Sequence, residues 1–296
     1  MSYRKSLLKA ACLLLLLPTV IHAESLRIGS IASEYVTEVK KFKPLTDYLS
    51  IHLAEYGFDN IEIVITNSIE GMADNMRTGK VDLFIDSPYP ALMVSEQSHS
   101  TMVLRRWKKG VAQYHSVIFT RKDSPINTLE DLKGQRIAFE EPFSTASYFL
   151  GKSELIRRGL QPIEEPGDKK IVTDNSVLYH FSGSDKSTIS WVLRNRVEAG
   201  IINNHKFDSL KERIRSRLKV IHHSPAVPRH VVSFRPGFSA DTISQISRVL
   251  IAMESDRTGQ SVLQQFQKTK KFDLISKQTQ QNLQQLKDMI QKITPP

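Results

Sequence analysis

Short apolar runs and amphipathic helical segments take turns along this chain, the order in which α/β architectures are written. Leu26–Ile31, Ile61–Ile65 and Val81–Ile85 read as strands, with helices between them at Val39–Ala54 and Ser68–Thr78. The pattern resumes after a helix from about Pro90. Tyr114–Arg121, Ile137–Phe139, Asn175–Phe181, Ala199–Ile202, Leu218–Ile221 and His230–Phe234 are strand candidates. Ser147–Arg158, Ser187–Arg194 and Lys206–Arg217 are the helices among them, and the sequence from Ser239 to Ile293 reads as helix.

No internal repeat and no flexible linker interrupts this alternation. At 296 residues the chain suits one large domain or two of ordinary size. Without a linker, two domains must be joined by ordered crossings. The candidates are Tyr114–Arg121, which leads into the Pro125 turn, and Ser224–Phe234, which carries Pro225 and Pro228. Chain that leaves one lobe and later returns makes a hinged two-lobe layout with a cleft between the lobes. The expected boundaries are 24–121 together with 223–296 for the first lobe, and 122–222 for the second.

The first 23 residues read as a secretory signal peptide. Arg4, Lys5 and Lys9 precede Ala10–Val20, which holds the run Leu13–Leu17, and Ile21-His22-Ala23 offers a cleavage site before Glu24. A membrane anchor is the alternative, but the apolar run falls short of the roughly 20 residues a spanning helix needs. Cys12 precedes the apolar run and has Lys9 where a lipobox wants an aliphatic residue, against lipid attachment. Cleavage after Ala23 would remove three positive charges and the only cysteine, taking the net charge from +10 to +7. A cysteine-free exported protein suits a bacterial periplasm.

The basic balance does not point to nucleic acid. Lys40-Lys41, Arg105-Arg106, Lys108-Lys109 and Arg213–Lys219 are scattered, without interleaved aromatics, and read as solvated faces. Mild attraction of a small anion is the more economical use of the charge.

Several strand-to-helix turns are rich in small hydroxyl residues. Val81–Ile85 ends in Asp86-Ser87-Pro88, Ile137–Phe139 ends in Glu140–Ser147, and Phe181 is followed by Ser182–Thr188. In open α/β sheets such turns lie at the carboxyl ends of strands, where ligands bind. The first turn of a helix has unpaired N–H groups and the positive end of the macrodipole, so it attracts anions. Plain N-capping is the competing reading for each turn. Ser144–Ser147 is the best binding candidate, because three hydroxyls in four positions exceed what one cap requires.

Enzymatic signatures are missing. The sequence holds no Gly-x-Ser-x-Gly elbow, no His-Glu-x-x-His, no phosphate loop ending in Gly-Lys-Ser/Thr and no Gly-x-Gly-x-x-Gly. His222-His223 and His230 lack a carboxylate partner at metal-ligand spacing, and one cysteine excludes a Cys-rich metal site. No cofactor is expected.

At these loops the chain resembles the phosphate/phosphite/phosphonate substrate-binding proteins of ABC transporters. The matching stretches begin with Leu26-Arg27-Ile28-Gly29, Lys43-Pro44-Leu45 through Tyr48-Leu49, and Gly79-Lys80-Val81-Asp82-Leu83. They continue with Tyr114–Ile118 into Lys122-Asp123-Ser124-Pro125-Ile126, and with Leu129-Glu130-Asp131-Leu132-Lys133-Gly134. Ala138-Phe139, Pro142, Ser144-Thr145-Ala146, Phe181-Ser182-Gly183-Ser184, Ser224-Pro225 and Pro228 complete them, over roughly residues 26–255.

The resemblance implies a type II periplasmic binding protein fold: two lobes, each a mixed sheet flanked by helices, joined by two crossing strands. It also implies a site. Ser144, Thr145 and Ala146 match the family's phosphonate-binding turn, with the Ala146 N–H in place of a third hydroxyl. Tyr114 matches a tyrosine on the crossing strand, and Ser87 is a first-lobe group expected to close against the turn. Three positions depart from the pattern. Asp185 stands where the family commonly has histidine, His205 and His230 stand where aminophosphonate binders carry acids, and Ile69 replaces an aromatic residue. Losing the acids argues against an aminoalkylphosphonate ligand and leaves a simpler phosphate-, phosphite- or phosphonate-like oxyanion.

The partner implied is a membrane ABC permease that recognises the closed form. A membrane sensor kinase or cyclase is the alternative output, and an exported phosphate-ester hydrolase a remote one. Leu283, Leu286, Ile290 and Ile293 recur in 3-4-3 spacing near the C-terminus. That helix either packs on its own lobe or pairs with a second copy, so a monomer or weak dimer is expected.

Overall fold

Two six-stranded mixed sheets and a two-stranded crossing contain the strands of the computed structural model, which describes residues 25–165 and 174–293. The expected signal peptide, residues 1–23, lies outside the described residues. The first sheet runs in the order Phe272–Leu274, Thr101–Arg106, His230–Phe234, Leu83–Asp86, Ser25–Ile31 and Asn60–Thr66. Ser25–Ile31 is parallel to both neighbours, whereas His230–Phe234 runs antiparallel between Leu83–Asp86 and Thr101–Arg106. The second sheet runs Leu218–His223, Ser116–Arg121, Ala199–Asn203, Arg136–Phe139, Ser176–Phe181 and Gln161–Glu164. Only Ser116–Arg121 points against the others.

The lobes are joined where Gln113–Tyr114 pairs antiparallel with Val227–Pro228. The crossing therefore falls earlier than the sequence suggests. Ser116–Arg121, assigned from sequence to the first lobe, pairs in the second sheet.

The first sheet is covered by the helix Tyr35–His52, which turns Phe42, Leu45 and Leu49 inward against Leu26 and Ile28. Several helices begin as their sequences specify. Ser68, Ser184, Ser239 and Asp256 each accept, through the side chain, the N–H three residues on. Each such cap stabilises by about 1 kcal/mol. The helix that ends at Arg157 is stopped by Gly159, whose φ of +74° is a left-handed conformation that favours glycine.

Two expectations change, and one pair of alternatives narrows. Lys206–Arg217 is not one helix but two, Asn204–Asp208 and Glu212–Arg215, because Lys211 takes an extended backbone. The region after Ser239 contains a short strand, Phe272–Leu274, between its helices. The C-terminal helix Lys277–Ile293 buries Leu283, Leu286 and Ile290 at 5% exposure or less in the chain's own core. Its apolar face is covered by the chain itself, the own-lobe packing of the two alternatives. No helix among the described residues is long and apolar enough to cross a membrane.

Asp82 ties the first sheet together. Its carboxylate accepts from Arg27 N at 2.8 Å, Arg27 Nε at 3.1 Å and Arg235 Nε at 2.8 Å. Asp82→Asn keeps the shape but weakens two charge-assisted bonds to half-buried guanidinium groups. A loss of about 2 kcal/mol is expected, discounted for the solvent exposure of both arginines. A lower urea midpoint at unchanged slope would show it, and an unchanged midpoint would refute it.

Candidate functional site

The parallel strands of both sheets end at one place. Beyond the carboxyl ends of Ser25–Ile31, Leu83–Asp86, Arg136–Phe139, Ser176–Phe181 and Ala199–Asn203 lie Ser33, Ser87, Ser144, Asp185 and His205. All five line a cavity of about 730 Å³ between the lobes. On one side of this cavity the lobes touch. Tyr89 N donates to Thr145 Oγ1 at 2.9 Å, Ser33 donates to Glu141, and the Tyr89 and Phe149 rings stack at 4.5 Å.

Ser144, Ala146, Tyr114, Ser87, Asp185, His205 and His230, the residues expected from sequence, face this one cavity. Thr145 does not line it: it is 1% exposed, and its hydroxyl is turned to Tyr89 N. The Ser144 turn is also less free than its composition suggests. Ser144 Oγ accepts from Ser147 N at 3.2 Å and donates to Glu140 Oε2 at 3.1 Å. Ser147 Oγ donates to Asp185 Oδ1 at 3.2 Å. The turn opens with a wide coil in which Phe149 N donates to Ser144 O at 3.0 Å, a π-type winding frequent at functional sites. Neighbouring acids, invisible as partners in the sequence, hold its hydroxyls.

The strongest feature was missed by sequence reasoning. Arg106, Lys108 and Arg229 gather at the cavity without an ion pair within 4.0 Å among the described residues. Arg106, read from sequence as part of a solvated face, is 1% exposed. It is held by Thr269 Oγ1, Phe266 O and Gln267 Oε1, each at 3.0 Å, and lies 3.5 Å over the Phe266 ring. Arg229 is 8% exposed, lies 4.2 Å over the Tyr114 ring, and has a buried Nε with no partner. Lys108 Nζ lies 3.3 Å from His230 Nε2, and His230 Nδ1 is buried and unpartnered.

The electrostatics follow from this crowding. Burial, and then the charge of Arg229, hold both Arg106 and Lys108 below their ordinary values. Burial also keeps His230 and His205 below the usual histidine range, so both rings are neutral near pH 7. Asp86, desolvated above all, is pushed up to about 6 despite Ser87 N and Lys108. Asp185 is pushed up to about 7 by burial and by Glu140. Burial raises the Tyr114 hydroxyl as well, so it is a neutral donor. At the mouth stand Lys41, Lys109, Lys206 and Lys268. Desolvated, mutually repelling cations whose nearest carboxylates, Glu38, Asp86, Glu140 and Asp185, all lie beyond ion-pair distance favour a small anion beside them. Among the described residues no group of histidines and carboxylates is arranged to hold a metal ion.

Residues 28–279 match the family model of the ABC-transporter phosphonate periplasmic substrate-binding protein. Among solved structures, the chain is similar to XAC2383 from Xanthomonas citri bound to ATP. That likeness has 25% identity and a TM-score of 0.83, covering 91% of this chain and 98% of that one. It is also similar to PhnD1 from Prochlorococcus marinus in complex with methylphosphonate. There the identity is 17% and the TM-score 0.70, over 91% of this chain and 98% of that one. The periplasmic aliphatic sulphonate binding protein SsuA from Escherichia coli shares the fold at 15% identity and a TM-score of 0.56, covering 91% and 87%.

Proposed function

Because the chain belongs to the ABC-transporter phosphonate periplasmic substrate-binding protein family, we propose that it captures a phosphate-, phosphite- or phosphonate-like oxyanion between its lobes and delivers it to a membrane permease. The family is one of binding proteins, not enzymes, and its members work in the periplasm. The observation that carries the ligand reading is the trio Arg106, Lys108 and Arg229, desolvated and without carboxylate partners beside a cavity. Tyr114 and Ser87 add hydroxyls from the crossing and the first lobe, and the Ala146 N–H adds a donor from the second, where the Ser144 hydroxyl is already given to Glu140. The ligand then bridges both lobes and stabilises their closure, as far as it binds the closed form better than the open one.

Thermal-shift and calorimetric titration with phosphate, phosphite and methylphosphonate test this. A ligand at about 100 times its Kd adds about 2.7 kcal/mol of stability. For a chain of this size that is a rise of about 5–10 °C in Tm. No shift and no heat with any of the three would overturn the reading.

A larger phosphate ester is a second reading, favoured by the cavity volume of about 730 Å³ and by the lysines at its mouth. The X. citri protein in its ATP complex has the same fold. Tighter binding of ATP than of phosphate in the same titration would select it.

A further inference from the structure

We propose that Asp185 holds the proton that accompanies the anion, so that this cleft takes up its oxyanion together with one proton. This rests on the oxyanion reading of the cleft. Asp185 opens the helix Asp185–Leu193 and lines the cavity from the second lobe. Its carboxylate is fixed from two other elements. Oδ1 accepts from Ser147 Oγ at 3.2 Å, and Oδ2 accepts from Asn203 Nδ2 at 3.3 Å. It forms no ion pair within 4.0 Å among the described residues.

The charges acting on it come from three directions. Glu140, at the start of the Ser144 turn, repels it, while Lys206 and Arg229 attract it from a short helix and from the crossing. Glu140 is tied to Ser144 Oγ and lines the cavity too. An anion drawn in by Arg229 therefore meets a carboxylate that cannot swing away.

Two anionic oxygens facing one another in a desolvated site repel, unless a proton lies between them. With the proton in place they form a short, charge-assisted O–H···O bond. The carboxyl is already poised for this, since burial and Glu140 push it up to about 7 in the unliganded protein. A bound anion adds negative charge beside it and raises that value further, so the complex holds a proton the free protein loses above neutrality. The sign follows. Below pH 7 the proton is already on Asp185 and binding needs none. Above pH 7 a dianion with no O–H of its own, such as phosphite, must draw one from solvent, and its affinity falls by about tenfold per pH unit.

The test is calorimetric titration with phosphite, which at pH 8.5 is a dianion with no O–H to donate, at that pH in two buffers of different ionisation enthalpy, which counts protons taken up. The wild-type chain is expected to take up about one proton per phosphite. Asp185→Asn, which keeps Oδ1 as acceptor for Ser147, is expected to take up none and to bind at pH 8.5 at least about tenfold more tightly than wild type. Wild-type binding without uptake overturns the proposal and leaves the oxyanion reading standing. Uptake that survives in Asp185→Asn but disappears in Glu140→Gln overturns the assignment to Asp185. Absence of binding by phosphate, phosphite and methylphosphonate at every pH from 6 to 8.5 overturns both.

Discussion

Arg229→Met is expected to weaken oxyanion binding by about a thousandfold, equivalent to about 4 kcal/mol, while making the unliganded protein more stable. The two effects have one cause. Arg229 is 8% exposed, its Nε meets no acceptor, and no carboxylate pairs with it. In the empty protein it is a charge removed from water with incomplete compensation, so an apolar side chain of similar length is preferred by about 1 kcal/mol or more. Methionine would also keep a contact with the Tyr114 ring, which now lies 4.2 Å from the guanidinium. In the complex the same charge is the ligand's counter-ion, and losing it leaves a desolvated anion without its partner. Calorimetry and urea unfolding of the same variant read both quantities. A Kd within tenfold of wild type, or a lower urea midpoint, would contradict the argument.

The second large effect is on stability. Phe266→Ala is expected to lower the unfolding free energy by about 4 kcal/mol, the range for deleting a fully buried aromatic ring. The Phe266 ring is 0% exposed and meets Phe42 edge-on, with centroids 5.0 Å apart. It also forms the floor beneath the Arg106 guanidinium, 3.5 Å away. The cavity left behind thus has a buried cation on one wall. Phe266→Leu keeps most of the volume and removes only the ring face, so it should cost about 1–2 kcal/mol. Equal losses for the two variants would show that volume alone matters and that Arg106 draws nothing from the ring.

What the sequence made legible was whatever its local chemistry repeats. Alternating apolar strands and helices specify the architecture, and helix starts such as Ser68 and Ser184 and the stop at Gly159 carry their own turn chemistry. The Ser144 turn and Ser87 stood out because they follow strands, and Tyr114 and Asp185 because the family resemblance pointed to their positions. Arg106 did not, for a physical reason. In Thr101–Arg106 the buried positions are Leu104 and Arg106, a period-two pattern whose last member is charged, so neither the strand nor the burial of the arginine was legible. Its acceptors, Phe266 O, Gln267 Oε1 and Thr269 Oγ1, lie some 160 residues further on. Likewise, nothing near Ser147 announces that Asp185, 38 positions away, claims its hydroxyl. Buried charge is a tertiary fact, set by partners that only the folded chain brings near.

One detail of the crossing has a mechanical meaning. Tyr114 belongs to one of the two connecting strands and Arg229 follows directly on the other, so this stacked pair rides on the axle about which the lobes would swing. Points on an axle travel least. A guest seated there, as proposed, would keep its grip through the whole swing, which would make landing and enclosure separable events and leave the outer residues of each jaw to set how long the guest stays.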